Sequence, residues 1–184
     1  MRKTSAFLRG FTLIELLVVI SIIAILAGMT IPTFYYAKQR AREAEARVTV
    51  KQLETAFRAY LDTYKVWPDA WPGAYGAPGG PNDIKGDIFK TLRGENISDM
   101  NKQEIVFYEF ESYTNFTDQT TAYDPWSNPK EDPSTWQAYQ VMFDKDYDNK
   151  ISLPGELGGG DAYRSVAVWS VGNRDETNII ASWK

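Results

Sequence analysis

The sequence predicts an α+β fold in which one long N-terminal helix packs on a small antiparallel sheet. Three observations carry that expectation: an apolar stretch at 11–31, an amphipathic stripe after it, and short apolar runs in the second half. The apolar stretch lies within "RGFTLIELLVVISIIAILAGMTIP", residues 9–32, whose one carboxylate is Glu15. As a helix rising about 1.5 Å per residue, 11–31 reaches about 30 Å, the hydrocarbon thickness of a bilayer. In the second stretch Val50, Leu53, Phe57, Tyr60, Leu61 and Tyr64 recur at spacings of three and four. That is the apolar face of an amphipathic helix. The helix is expected to stop near Lys65, because "VWPDAWPGAYGAPGGP" follows with four prolines and four glycines. The third set reads as strands that cover the stripe: "EIVFYEF" (104–110), "AYQVMF" (138–143), "SVAVWSV" (165–171) and "NIIASW" (178–183). "DIFKTL" (87–92) reads as a short helix or turn.

A chain of 184 residues has room for one domain and an anchor. Its net charge of −4 offers nucleic acid no basic surface. The sequence contains no cysteine and no histidine, which excludes disulfides, thiol nucleophiles, imidazole or thiolate zinc sites and any triad needing a histidine base. The expectation is a protein that is not an enzyme. Six tryptophans and eleven tyrosines come without a basic patch, so they read as core and turn residues rather than a stacking surface for sugars or nucleic acid. The sequons "NIS" (96–98) and "NFT" (115–117) carry no functional reading. In "KQRAREAEAR" (38–47), Glu43 and Arg47 stand at the favourable i,i+4 spacing of a solvated helix surface.

Read from its residues alone, the apolar stretch fits an ordinary signal anchor, or a secretory signal cut after Ala27 or Gly28. Neither explains Glu15, since a lone acid in a membrane-length segment costs about 2.5–3.5 kcal/mol on insertion scales. "FLRG" followed by "FTLIELLVVISIIAIL" resembles the leader and helix of type IV pilins and type II secretion pseudopilins. The resemblance implies that prepilin peptidase cuts after Gly10 and methylates Phe11 as the new N-terminus. It also implies that Glu15, the fifth mature residue, meets the ammonium of a neighbouring subunit's Phe11 in a helical filament. Two charges costly alone are then tolerable as a pair and set the register between subunits. Pro32 falls where that family often has a helix-disturbing proline. Arg2, Lys3 and Arg9 before the span are nearly balanced by Lys38, Arg40 and Arg42 after it. A cytoplasmic N-terminus and a periplasmic head therefore rest on the resemblance.

Further along, "DPWSNP" (124–129), then "VAVWSVG" and a terminal "IIASWK", are similar to the head of the major pseudopilin of type II secretion. The resemblance implies a pilin-like fold and a subunit of a periplasmic filament, anchored in the inner membrane, that helps move folded proteins across the outer membrane. Its implied partners are copies of itself, prepilin peptidase, other pseudopilins and the inner-membrane secretion platform. The alternatives are a type IV pilin for adhesion, motility or DNA uptake, and a membrane-tethered calcium- or sugar-binding domain. The expected divisions are a leader at 1–10, a transmembrane and filament-core helix at 11–31, an amphipathic helix at 32–67 and a head at 68–184.

"FDKDYDNKISLPGE" places Asp144, Asp146 and Asp148 at alternate positions, the start of a calcium loop of the D-x-D-x-D-G type. Lys150 would add its carbonyl and Ser152 a hydroxyl or a bridging water. Asn149 stands where such loops have glycine, and Glu156 falls one position late for the bidentate ligand. Three crowded carboxylates repel one another without a cation; the other reading is a solvated acidic turn. Major pseudopilins bind calcium in a loop after their WSxG segment, which makes Ser170, Asp175 and Asn178 the alternative ligands, with the late aspartate of that family missing here.

Overall fold

The computed structural model describes residues 11–71, 82–110, 119–172 and 179–183, without the side chains of residues 30–32 and 156. Helix α1 runs from Leu13–Tyr64, and a second helix, α2, covers Asp87–Leu92. Strands β1 (Asn82–Asp83), β2 (Gln140–Phe143), β5 (Val166–Ser170) and β6 (Ile180–Ala181) form an antiparallel sheet in the order β1-β2-β5-β6. Strands β3 (Ile151–Ser152) and β4 (Asp161–Ala162) pair separately. The architecture is α+β and pilin-like, a long apolar N-terminal helix packed on a small antiparallel sheet.

The chain divides into two compact units, residues 1–41 and 42–184. In the first, residues 13–29 of α1 are apolar apart from Glu15 and Ser21 and exposed all round: Leu13, Ile14, Leu17, Ile20, Ile23 and Leu26 all face outward. This stretch is long and apolar enough to cross a membrane. The helix assignment continues through Pro32 without a break.

In the second unit the stripe on α1 goes inside. Val50, Leu53 and Phe57 are fully buried, with Ala46 extending the stripe upstream and Tyr60 closing it. They meet Val141 and Phe143 from β2, Val166 and Val168 from β5, and Ile180 from β6. Phe143 is packed among aromatics, its ring centroid 5.1 Å from Phe57, 4.7 Å from Trp67 and 5.1 Å from Trp71. The sheet has a second buried face. Met142, Ala167, Trp169 and Ala181 alternate with the residues facing α1, as the two-residue period of a strand requires. They pack against Ile151 and Leu157 from the excursion between β2 and β5. An antiparallel sheet commonly leaves one face to water; here residues 144–165 supply its cover.

The expected strand at 104–110 does not form. Its backbone groups are taken elsewhere: the N–H groups of Phe107 and Tyr108 both donate to the Leu92 carbonyl, at 2.9 and 3.0 Å, where α2 ends. The buried Asn101 side chain accepts from Ile105 N–H at 3.1 Å and donates to the Ile105 carbonyl at 2.9 Å. An asparagine amide thus takes the place of a neighbouring strand, and Phe107, Tyr108 and Phe110 still pack on the core. Short helix α2, the end of α1 at Tyr64 and strands within 138–143, 165–171 and 178–183 stand where the pattern puts them.

Candidate functional sites

At the start of α1, Phe11 and Glu15 are both exposed. Thr12 precedes the first helical residue and closes a reciprocal cap with Glu15. The Glu15 Oε2 atom accepts from Thr12 N–H at 2.9 Å and from the Thr12 hydroxyl at 2.7 Å, while Thr12 Oγ1 accepts from Glu15 N–H at 3.3 Å. This is a capping box, threonine followed three residues later by glutamate, which satisfies donors that a helix start leaves open. Within a single chain, then, Glu15 has a local partner. The role of Thr12 was readable in "TLIE" but is hidden by the interest of the acid itself. Gly10 lies outside the described residues.

In the second unit, the acidic loop begins where β2 ends. Asp144 N–H donates to the Ser165 carbonyl at 3.0 Å, which extends the β2–β5 pairing by one bond and holds Asp144 at the end of the sheet's central strand pair. Asp144 is 2 % exposed, whereas Asp146 and Asp148 are exposed. One carboxylate oxygen from each of the three lies within 4.8 Å of the others. Asp144 Oδ2 accepts from Asn149 N–H at 2.8 Å, and Asp144 Oδ1 is buried with no partner among the described residues. Burial, then the neighbouring Asp146 carboxylate, push the Asp144 carboxyl above the usual carboxylate range, against the pull of the Asn149 and Tyr147 backbone N–H groups. Asn149 has φ 61°, the left-handed conformation for which such loops use glycine.

The side chains of Ser152, Lys150 and Ser170 are engaged in other bonds. Ser152, exposed on β3, donates its hydroxyl to Asp161 Oδ1 at 3.0 Å. Lys150 Nζ pairs with Asp161 Oδ2 at 2.9 Å, which holds the Asp161 carboxyl below its usual range. Ser170, fully buried, donates to Asp124 Oδ2 at 2.9 Å and accepts from Gly172 N–H at 3.1 Å. Asp175 and Asn178 lie outside the described residues.

Two polar clusters were not foreseen from the sequence. Asp124 opens the "DPWSNP" turn and ties it to β5: its Oδ1 accepts from the backbone N–H groups of Trp126 (3.1 Å) and Ser127 (3.2 Å), and its Oδ2 from Ser170. Burial pushes this carboxyl up to about 6 even though those hydrogen bonds pull it down. The second cluster centres on Glu54, 7 % exposed on α1. Its Oε1 accepts from Arg58 Nη2 at 2.8 Å and from Arg164 Nη1 at 2.9 Å. Lys51 Nζ lies 3.7 Å from Oε2 and donates to the Ser182 carbonyl. Glu54 thus connects the helix to the residues flanking β5 and β6. An acid within an apolar stripe was the available signal.

Comparison with known proteins bears on both units. The prokaryotic N-terminal methylation motif matches residues 9–31. The type IV major pilin protein PilE1 of Neisseria gonorrhoeae is 36% identical over 88 residues, 48% of this chain and 48% of that protein. The type IV major pilin protein PilA of Myxococcus xanthus is 46% identical over 53 residues, 29% of this chain and 24% of that protein. The type II secretion system core protein G of Pseudomonas aeruginosa is 25% identical over 174 residues, 95% of this chain and 94% of that protein. The chain therefore spans about half the length, or less, of the pilins it matches. No solved structure matches it significantly.

Proposed function

From a type IV pilin-like chain, structural rather than catalytic, we propose a subunit of a type II secretion pseudopilus. The observation that carries this reading is the extent of its likeness to the secretion protein, 95% of one chain against 94% of the other, head included. Order within the head supports it: the buried Asp124 turn and the buried Ser170 of the "VWSVG" strand, two of the resembling segments, are hydrogen-bonded to each other.

In this proposal prepilin peptidase cuts between Gly10 and Phe11 and methylates the new N-terminus. Residues 11–31 anchor the chain in the inner membrane, N-terminus in the cytoplasm, head in the periplasm. On assembly the exposed apolar helix surface leaves lipid for the packed shaft of a filament, where dispersion contacts replace lipid contacts. There the new ammonium of Phe11 on an incoming subunit competes with Thr12 for the Glu15 carboxylate. The intramolecular cap holds Glu15 ready at the helix start until that charge arrives. Filament growth, in contact with the other pseudopilins and the inner-membrane platform, then does mechanical work on folded cargo.

Expression in a secretion-competent host lacking its own major pseudopilin tests this. Mass spectrometry is expected to find methylated Phe11 as the N-terminus, and secretion is expected to return. Glu15→Ala is expected to be processed and membrane-inserted yet to yield few or no filaments in electron micrographs. Filaments in normal number from that variant refute the docking role of Glu15. The second reading, a type IV pilin, draws on the higher but partial identity to PilE1; rescue of twitching in a pilin-deficient strain, without secretion, would select it.

A further inference from the structure

We propose that Asp144, Asp146 and Asp148 bind one calcium ion, and that the ion pins the start of the 144–165 excursion to the segment that follows α1. Clustered acids alone do not make a site; the buried oxygen does. Asp144 Oδ1 lies out of water with no hydrogen bond among the described residues. An unsatisfied buried acceptor is costly, and a buried carboxylate more so. A hard cation removes that cost, and the two exposed carboxylates within 4.8 Å supply the remaining charge. Oδ2 is already held by Asn149 N–H, so the carboxyl is oriented before an ion arrives. Three carboxylates and no nitrogen or sulfur donor select an oxygen-seeking cation. Calcium suits a loop of this kind better than magnesium, which demands a tight octahedron and keeps its waters.

The three aspartates are the core of the ligand set expected from spacing, and its outlying side chains have other partners. Ser152 is drawn out of it by Asp161, and Ser170 belongs to the Asp124 turn. The loop reaches instead toward the end of α1. Between two of the acids, the Tyr147 hydroxyl accepts from Trp67 N–H at 2.7 Å. Lys145, also between two of them, donates to the Asp69 carbonyl at 2.9 Å. Both bonds come from residues whose backbone the ion would fix, and Trp67 stacks into the aromatic cluster around Phe143. Calcium would therefore brace the cover on the sheet's second face and the aromatic core on its first.

The experiment uses the full chain in detergent micelles, stripped with chelator and titrated with calcium chloride by calorimetry. One equivalent is expected to bind. At a hundredfold excess over Kd the head's melting midpoint is expected to rise by several degrees. Hydrogen exchange is expected to slow at Trp67 as well as at 144–149. Asp146→Asn and Asp148→Asn are exposed changes that keep the stripped head folded, with a midpoint equal to the parent's or raised by the lost repulsion, and each is expected to weaken binding at least tenfold. Asp175→Asn is expected to bind like the parent. Equal midpoints in calcium and chelator overturn the site, as does binding that survives both exposed variants or is lost with Asp175→Asn. Calcium protection confined to 144–149 overturns the pinning.

Discussion

Two stretches of one helix, residues 13–29 and 46–64, are both rich in large apolar side chains and meet opposite fates. Leu13 is 81 % exposed and Ile25 61 %, whereas Val50, Leu53 and Phe57 are at 0 %. The difference lies in arrangement. Apolar residues fill every side of the first stretch, which no one-sided cover can bury; in the second they occupy a stripe that a small sheet can cover. The second stretch therefore belongs to a head with its own core. The first has to be solvated by lipid or by other helices. Acids follow the same division. Glu15 is capped by its own helix start, while Glu54, inside the stripe, needs cations from three points of the sequence.

The sharpest way to break this comparison is to cut the same kind of side chain in both stretches. Phe57→Ala is expected to destabilise the head by about 3–5 kcal/mol, as large buried truncations do. Ile20→Ala is expected to move the head's stability by no more than about 0.5 kcal/mol. Thermal melts of both variants in the same detergent decide it; similar losses from the two would mean that the stretches are not independent.

Next in size is a pH effect confined to the head. The Asp124 carboxyl stands at about 6 when folded, above its ordinary 3.8, so the folded state holds this proton more tightly than the unfolded state. Its contribution is full below about pH 4 and is lost as pH rises through about 6, a span worth about 3 kcal/mol. The melting midpoint of the parent relative to Asp124→Asn is therefore expected to fall between pH 4 and pH 6.5. A flat difference would show that the carboxyl titrates normally.

Arg164→Ala takes one cation from Glu54 and leaves Arg58 and Lys51, so about 2 kcal/mol is expected, less than the cost of stripping a buried acid completely. Chemical denaturation of the head measures it. The smallest effect belongs to the exposed helix start. Thr12→Val removes the cap at a cost of about 1 kcal/mol to the first turn. It is expected to speed amide exchange at residues 13–16 and leave the head's melting midpoint where it was.

The legible parts of the fold are those set by local pattern. The stripe from Val50 to Tyr64 shows in its three- and four-residue spacing, and the helix stop shows in the prolines after Lys65. "SVAVWSV" holds the continuous apolar run Val166 to Trp169, and β5, its counterpart, is buried on both faces. What covers its second face was not legible, because residues 144–165 are polar and rich in turns, with only scattered apolar side chains such as Ile151, Leu153 and Leu157 to pack on it. The 104–110 segment looked like a strand by composition. Nothing local revealed that Asn101 and the Leu92 carbonyl would take its hydrogen bonds.

By itself, the sequence determined the exposed apolar helix with its one acid, the amphipathic continuation, the absence of histidine and cysteine chemistry, and the alternation of Asp144, Asp146 and Asp148. These are matters of composition and short-range spacing, which chain geometry turns directly into helix faces and loop positions. Only the tertiary structure decided which oxygens are bonded to what. It buried Asp144 and left its Oδ1 without a partner among the described residues, gave Ser152 to Asp161 and Ser170 to Asp124, and joined Tyr147 to Trp67, 80 residues away in sequence. Hydrogen-bond partners distant in sequence meet only after the sheet has formed on the helix. Burial then sets how strongly each unpaired oxygen is penalised.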